Sequence, residues 1–326
     1  MIVVTGGAGF IGSALIHGLN KKGIKDIWVV DQVDHPEKRE NLNLLAFDRL
    51  IGIDDFLKDV LEKRLARCDA ILHMGACSST TESDESFLTK NNFEYTRHLA
   101  SFCLEKGIRF IYASSAATYG AGENGYSDDE SRLKILKPLN LYGDSKQKFD
   151  LWAQAQGALK NLVGLKYFNV YGPNEYHKQD MQSMVRKGFL QLRDTSKLRL
   201  FKSYKSEYSD GGQERDFLYI KDAVAMTLFF LEHQDIGGIF NVGSGKARNW
   251  NDLAKAIFVA MSKKLNIEYI DIPSEIRNQY QYHTCSDTEK IRNAGYSKSI
   301  MSLEEGIDDY VTQYLISGKH LGTDAV

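Results

Sequence analysis

Cysteine and proline are both scarce, four of each in 326 residues, and each shortage excludes something. Cys68, Cys77, Cys103 and Cys285 are scattered, with no CxxC pair and no ligand spacing. That pattern argues against a disulfide scaffold and a zinc site; no metal is expected, and a reducing cytoplasm is the expected location. Few prolines leave the chain free to build regular elements. Two of the four, Pro138 and Pro173, fall in loops that carry chemistry below. No stretch approaches the roughly 18 continuous apolar residues of a membrane span. The apolar opening Met1–Thr5 is far shorter than a signal h-region. Neither sign of charge dominates, with 41 basic residues against 43 acidic ones, so nucleic acid and anionic membranes have no electrostatic claim as partners. No internal repeat or low-complexity tract occurs.

What is present is ordinary globular composition, 43% apolar and 26% charged. The length calls for one large α/β unit or a main domain carrying a smaller one. Ile2–Thr5, Asp26–Asp31, Ala70–His73, Phe110–Ser114 and Leu162–Phe168 read as buried strands. Between them, Ile11–Lys22, Asp55–Ala66, Ser86–Lys106 and Gly143–Gln156 carry apolar residues at helical spacing. This alternation implies right-handed βαβ units, and hence an α/β fold with a Rossmann-type doubly wound parallel sheet. After Tyr171 the rhythm changes. Met181–Arg193, Trp250–Lys263 and Ser302–Tyr314 read as helices, Arg215–Ile220 and Gly238–Val242 as strands, and Tyr204–Glu214 as an exposed loop. The expected organisation is a dinucleotide-binding domain from residues 1–170 and 216–265. A smaller mixed α/β substrate lobe follows from 171–215 and 266–316, and residues 317–326 form a frayed tail.

Gly6-Gly7-Ala8-Gly9-Phe10-Ile11-Gly12 lies between a strand and an amphipathic helix, and Asp31 ends the next strand. That order lets backbone N–H groups and a helix N-terminus receive a pyrophosphate. Gly6 permits the tight turn, Gly9 lets the backbone approach the phosphates, and Gly12 lets the helix pack on the strand. Asp31 suits an adenosine ribose and so favours NAD, whereas Lys38 and Arg39 suit a 2′-phosphate. The residues alone leave NAD and NADP both open.

Tyr142 and Lys146 stand four apart on one face of a helix start. A free phenol, with a pKa near 10, is about three units too basic to act at neutral pH; an adjacent ammonium together with the positive nicotinamide ring is expected to depress it. Tyr142 then serves as general base while hydride leaves the carbon. Ser114-Ser115 closes the preceding strand and offers a hydroxyl to the reacting oxygen.

TGGAGFIG, the Tyr-Ala-Ser-Ser run at 112–115 and YGDSK together resemble the extended short-chain dehydrogenase/reductase superfamily, whose members modify nucleotide sugars. Carried over by motif, Ser115 holds the reacting oxygen, Tyr142 is the acid/base, and Lys146 binds nicotinamide ribose. GACSSTTE (75–82), YASSAATYG (112–120), KPLNLYG (137–143), YFNVYGPNEYHK (167–178) and RDFLYI (215–220) narrow the likeness. They resemble the ADP-L-glycero-D-manno-heptose-6-epimerase family from the first residue to about Gly306. That resemblance implies inversion at C-6″ of an ADP-heptose for lipopolysaccharide core assembly, with Lys178 as a second acid/base. It places cofactor contacts on Phe10, Ile11, Asp31, Gln32, Lys38, Met74, Gly75, Ala76, Cys77, Ser78, Asn91, Lys146 and Val170, and favours NADP. Substrate contacts fall on Ser115, Asn169, Asp180, Lys187, Phe201, Tyr204, Arg215 and Tyr280. The implied assembly is a homo-oligomer, a pentamer.

Met74 stands where the family often has an acid, Asp180 and Arg186-Lys187 depart from its usual residues, and the loop 204–214 is longer than usual. The alternatives are another nucleotide-sugar epimerase or reductase of the same type, and a non-catalytic dinucleotide-binding scaffold. A 4,6-dehydratase needs an acid pair after the hydroxyl residue; Ala116-Ala117 stands there instead. His73, with no ligand cluster, reads as a satisfied interior histidine, and Tyr167, Phe168 and Trp250 as core aromatics. Cys77 has no base nearby in sequence to make it a nucleophile.

Overall fold

A computed structural model describes residues 1–65, 67–277 and 280–323. Its strands are β1 (Ile2–Thr5), β2 (Ile27–Val30), β3 (Arg49–Ile51), β4 (Ala70–His73), β5 (Arg109–Ser115), β6 (Leu162–Tyr167), β7 (Asn169–Tyr171), β8 (Leu198–Phe201), β9 (Glu214–Tyr219), β10 (Gly238–Val242), β11 (Ala247–Asn249) and β12 (Ile267–Ile270). The helices that matter below are α1 (Phe10–Lys21), α2 (Pro36–Leu42), α3 (Ile53–Leu61), α4 (Glu85–Leu88), α5 (Tyr95–Lys106), α6 (Leu141–Ala155), α7 (Met184–Thr195), α8 (Ile220–Glu232) and α9 (Trp250–Ala260).

Seven strands form one parallel sheet in the order β10-β6-β5-β4-β1-β2-β3. Alternation along the strands divides the core. Ile2, Val4 and Leu72 pack under α1 and α8, whereas Val3, Ile71 and Phe110 pack with Phe56 of α3, Leu99 of α5 and Phe149 of α6. Strands buried on both faces need apolar side chains at nearly every position, which is why they read as continuous apolar runs. The strand order reverses between β1 and β4, where Thr5 sits opposite His73. A crevice opens there beyond the carboxyl ends of the strands, the usual ligand position in such sheets. The smaller sheets are β11-β9-β7 and the parallel pair β12-β8.

Several elements differ from the sequence expectation. The helix over 86–106 is α4, a π-helical turn at Thr89–Glu94, and α5. The helix expected at Asp55–Ala66 ends at Leu61, before Lys63 at φ 57°; Ala66 itself lies outside the described residues. The helix from 181 begins only at Met184, because Gln182 and Ser183 are extended and the Ser183 hydroxyl caps Arg186 N–H. α8 escapes pattern reading because nine of its thirteen residues are buried, hiding a single apolar stripe. α9, expected with the dinucleotide domain, packs on α7 and on the helix Leu303–Asp309. The tail is not frayed as far as Thr323. Leu321 is buried and donates its N–H to Asn174 Oδ1 at 2.9 Å, and the Tyr176 hydroxyl donates to Lys319 O at 2.7 Å. Residues 324–326 of that tail lie outside the described residues. Among the described residues no helix is long and apolar enough to cross a membrane.

Candidate active site

A cavity of about 1290 Å³ runs from the glycine turn, across the β1/β4 crevice, to the smaller sheets. The turn is built by close approach. Gly6 adopts φ 63°, and a Cβ there would lie 2.7 Å from Gly75 Cα; a Cβ on Gly12 would collide with Gly6 O. α1 starts immediately after Gly9 with no side-chain cap and no acidic residue in its first turn. Its leading N–H groups, from Phe10 to Gly12, have no partner within the helix and form a cradle for an anion. The Asp31 carboxylate stands behind the cradle, with Oδ2 accepting Ala8 N–H at 2.9 Å and Oδ1 accepting Lys38 Nζ at 3.2 Å. Lys38 also donates to Gln32 O at 3.0 Å and lies 3.4 Å from Asp34. These residues fit a dinucleotide. Every residue expected at the cofactor lines this cavity: Gly6, Gly9, Phe10, Ile11, Gly12, Asp31, Gln32, Lys38, Met74, Gly75, Ala76, Cys77, Ser78, Asn91, Lys146 and Val170.

Ser115, Tyr142 and Lys146 all line the same cavity. Asn140 caps α6 by accepting Gly143 N–H at 2.8 Å, which fixes Tyr142 in the first turn. Burial pushes the Tyr142 phenol up, while a hydrogen bond from Ser115 pulls it down. Lys146 is itself pushed down to about 8 by burial, and its ammonium donates to Ala113 O at 2.8 Å.

Behind these groups lies a polar layer that sequence reading missed. Asp150 accepts from Tyr112 Oη at 2.9 Å, Ser114 Oγ at 2.7 Å and Lys166 Nζ at 3.0 Å; Asp150 and Lys166 are fully buried. Asn92, next to the expected Asn91, accepts Cys77 N–H at 2.9 Å. It donates to Cys77 O and to Ser145 Oγ, both at 3.0 Å. It thereby joins the cofactor wall to α6. The π-helical turn that carries it breaks the 3.6-residue face, so spacing gave no signal.

Lys178 reaches the cavity from the short turn Tyr176–Met181, with its ammonium 5.3 Å from the centre of the Phe10 ring. Burial lowers its proton affinity; the Glu175 carboxylate opposes this and Lys187 adds to it. His177 beside it is pushed down to about 4 by burial and by Lys38 and Lys178, so it is neutral at pH 7.

Of the expected substrate residues, Ser115, Asn169, Lys187, Phe201 and Tyr280 line the cavity. Three others do not. Asp180 is exposed, and its carbonyl accepts Lys187 Nζ at 2.6 Å. Tyr204 points outward, its hydroxyl donating to Asp271 at 3.0 Å with the Arg277 guanidinium over its ring. Arg215 is held between Trp250 and Tyr280 and spends its guanidinium on the carbonyls of Glu214 and Gln281. His73 bonds Thr5 at 2.6 Å and Thr96 at 2.9 Å, both through hydroxyls, as an interior histidine should. No cluster of His, Cys, Asp and Glu able to hold a metal occurs among the described residues.

The fold and this constellation define a class. Residues 2–243 match the NAD dependent epimerase/dehydratase family, and the chain belongs to it. Within that family, it is 50% identical over 316 residues to the ADP-L-glycero-D-manno-heptose-6-epimerase of Nitratidesulfovibrio vulgaris strain DP4, covering 97% of this chain and 98% of that one. It is 48% identical to the enzyme of the same name from Fusobacterium nucleatum, with the same coverage. The Helicobacter pylori ADP-L-glycero-D-manno-heptose-6-epimerase crystal structure superposes with a TM-score of 0.81 at 29% identity, over 96% of this chain and 95% of that one. A UDP-N-acetylglucosamine 4-epimerase from Methanobrevibacter ruminantium reaches 0.82 at 26% identity, over 97% and 98%. Backbone shape is thus shared across sugars, and the site must choose among them.

Proposed function

We propose that this chain inverts C-6″ of ADP-D-glycero-D-manno-heptose to give the L-glycero epimer, by transient oxidation to a 6″-keto sugar and re-reduction. The observation that carries the reading is the presence of two proton-handling groups, Tyr142 and Lys178, on one cavity floored by the glycine turn. Inversion removes hydride from one face of a carbon and returns it to the other. It therefore uses one acid/base in each of two substrate orientations. The relatives at 48–50% identity support this particular sugar.

A bound nicotinamide ring supplies hydride acceptance and return. The chain's own residues do the rest. The first turn of α1 holds the pyrophosphate, and the walls Met74–Ser78, Asn91 and Val170 orient the dinucleotide. Lys38 selects NADP, because its ammonium neutralises the Asp31 carboxylate that would otherwise repel a 2′-phosphate. Ser115 holds the reacting oxygen, Tyr142 and Lys178 exchange its proton in the two orientations, and Lys146 supports Tyr142. Asn169, Lys187, Phe201 and Tyr280 form the substrate wall; Asp180, Tyr204 and Arg215 do not reach the cavity and are left out of it. The resemblance extends the proposal to a cytoplasmic homopentamer feeding lipopolysaccharide core assembly. An assembled Ser115-Tyr142-Lys146 site speaks against a non-catalytic scaffold.

The test is incubation of protein loaded with NADP or with NAD with ADP-D-glycero-D-manno-heptose, followed by NMR of C-6″. Inversion is expected, with NADP the tighter cofactor. No inversion, with turnover instead on a UDP- or GDP-sugar, would overturn the assignment of the sugar. Tighter binding of NAD would overturn that of the cofactor.

A further inference from the structure

Asn174 occupies a backbone conformation most side chains avoid: φ is 76°, and the residue is fully buried. The left-handed region crowds a Cβ against the following carbonyl oxygen, and asparagine is among the residues that tolerate it best. Three ties hold it there, each to a different element. Its amide Nδ2 donates to Ser13 Oγ on α1 at 2.9 Å. Its Oδ1 accepts Leu321 N–H at 2.9 Å. Its carbonyl accepts Asn41 Nδ2 on α2 at 3.0 Å, and the same Asn41 amide donates to Ala8 O in the glycine turn at 3.0 Å.

The Lys178 turn begins at this hub. Lys178 N–H closes on Glu175 O at 3.0 Å, and the Tyr176 hydroxyl reaches Lys319 O. Midway along the turn the Lys178 ammonium reaches back to α1, 5.3 Å from the centre of the Phe10 ring. The helix whose first turn forms the anion cradle is therefore the one that Asn174 grips through Ser13. The turn is also held locally: the buried Glu175 carboxylate accepts the Ser183 hydroxyl at 2.6 Å, and Gln182 donates to Tyr176 O at 2.6 Å; Asn174 adds the tie to α1.

We propose that Asn174 is a positioning residue for the reaction: by tying the 176–181 turn to α1, α2 and the segment 319–321, it fixes the Lys178 ammonium relative to the cofactor cradle. The proposal rests on Lys178 being the second acid/base. A shift of about 1 Å in such a group can cost up to about 10²-fold in rate.

Asn174→Gly keeps the φ and removes both amide ties. The measurement is single-turnover reduction of the bound cofactor after mixing the holoenzyme with each of the two heptose epimers, for wild type, Asn174→Gly and Lys178→Met. Asn174→Gly is expected to slow oxidation of one epimer about ten-fold or more, the same epimer that Lys178→Met slows, and to leave the other within about two-fold. Ser13→Ala, which removes only the α1 tie, should show the same bias more weakly and keeps the test open should Asn174→Gly not fold. A merely structural role would slow both epimers alike. If Lys178→Met slows one epimer while the tie variants slow neither, or both equally, the proposal falls alone. If Lys178→Met slows neither, the acid/base reading falls and takes the proposal with it.

Discussion

Tyr142 and Lys178 face one cavity from two kinds of backbone. Tyr142 stands in the first turn of a regular helix capped by Asn140, four residues from Lys146 and backed by the buried Asp150–Lys166 pair. Lys178 stands on an irregular turn, preceded by Asn174 and interrupted by Gln179, both at positive φ, and held by local bonds to Glu175 and Gln182 and by single hydrogen bonds to segments remote in sequence. One group is placed by a regular helix backed by a buried ion pair, the other by scattered tertiary ties and the buried Glu175 carboxylate, which accepts the Ser183 hydroxyl at 2.6 Å. The two sides should therefore break differently: the Tyr142 side at large stability cost, the Lys178 side at small cost but with loss of geometry.

Lys166→Met tests the first half of that contrast and should have the largest effect. It leaves the Asp150 carboxylate buried without its cation, which costs about 3–5 kcal/mol. Tyr176→Phe on the other side removes one neutral hydrogen bond to Lys319 O and should cost only about 1 kcal/mol. Urea unfolding of both variants checks the ranking, and equal costs would erase the contrast.

A smaller effect separates the two sides by pH. Lys146 is lowered from 10.5 to about 8 by burial, so its ammonium is lost as pH rises through about 8. Turnover supported by Tyr142 should fall across that point. Between about 8 and 10.5 the unfolded lysine keeps a proton that the folded one has released, so this group's contribution to stability rises with pH over the same window. Activity falling while stability holds would identify titration of Lys146; both falling together would indicate unfolding instead.

The same contrast explains what was legible in the sequence. The glycine turn, Asp31, Ser115 and the Tyr142–Lys146 face follow from strand–turn–helix order and a spacing of four, which are local properties. So does the parallel sheet, whose strands read as apolar runs. Lys178 had no local signal and entered only through resemblance, because its place depends on Ser13, Asn41 and Leu321, each more than 130 residues away from Asn174. Asp150–Lys166 was invisible for the same reason: a lysine inside an apolar strand reveals its partner only after folding. Arg215 and Tyr204 were expected at the substrate. The structure instead commits Arg215 to the carbonyls of its neighbour Glu214 and of Gln281, and Tyr204 to Asp271; the pairings with Gln281 and Asp271 are long-range and a motif match does not encode them.

The most direct test of two groups serving two orientations compares Tyr142→Phe with Lys178→Met in single-turnover oxidation of each epimer by the bound cofactor. Each variant should lose about 10²–10⁴-fold with one epimer, a different epimer for each, and both should lose net epimerisation. If both variants block the same epimer, or if Lys178→Met oxidises both at the wild-type rate, the two-group account is contradicted.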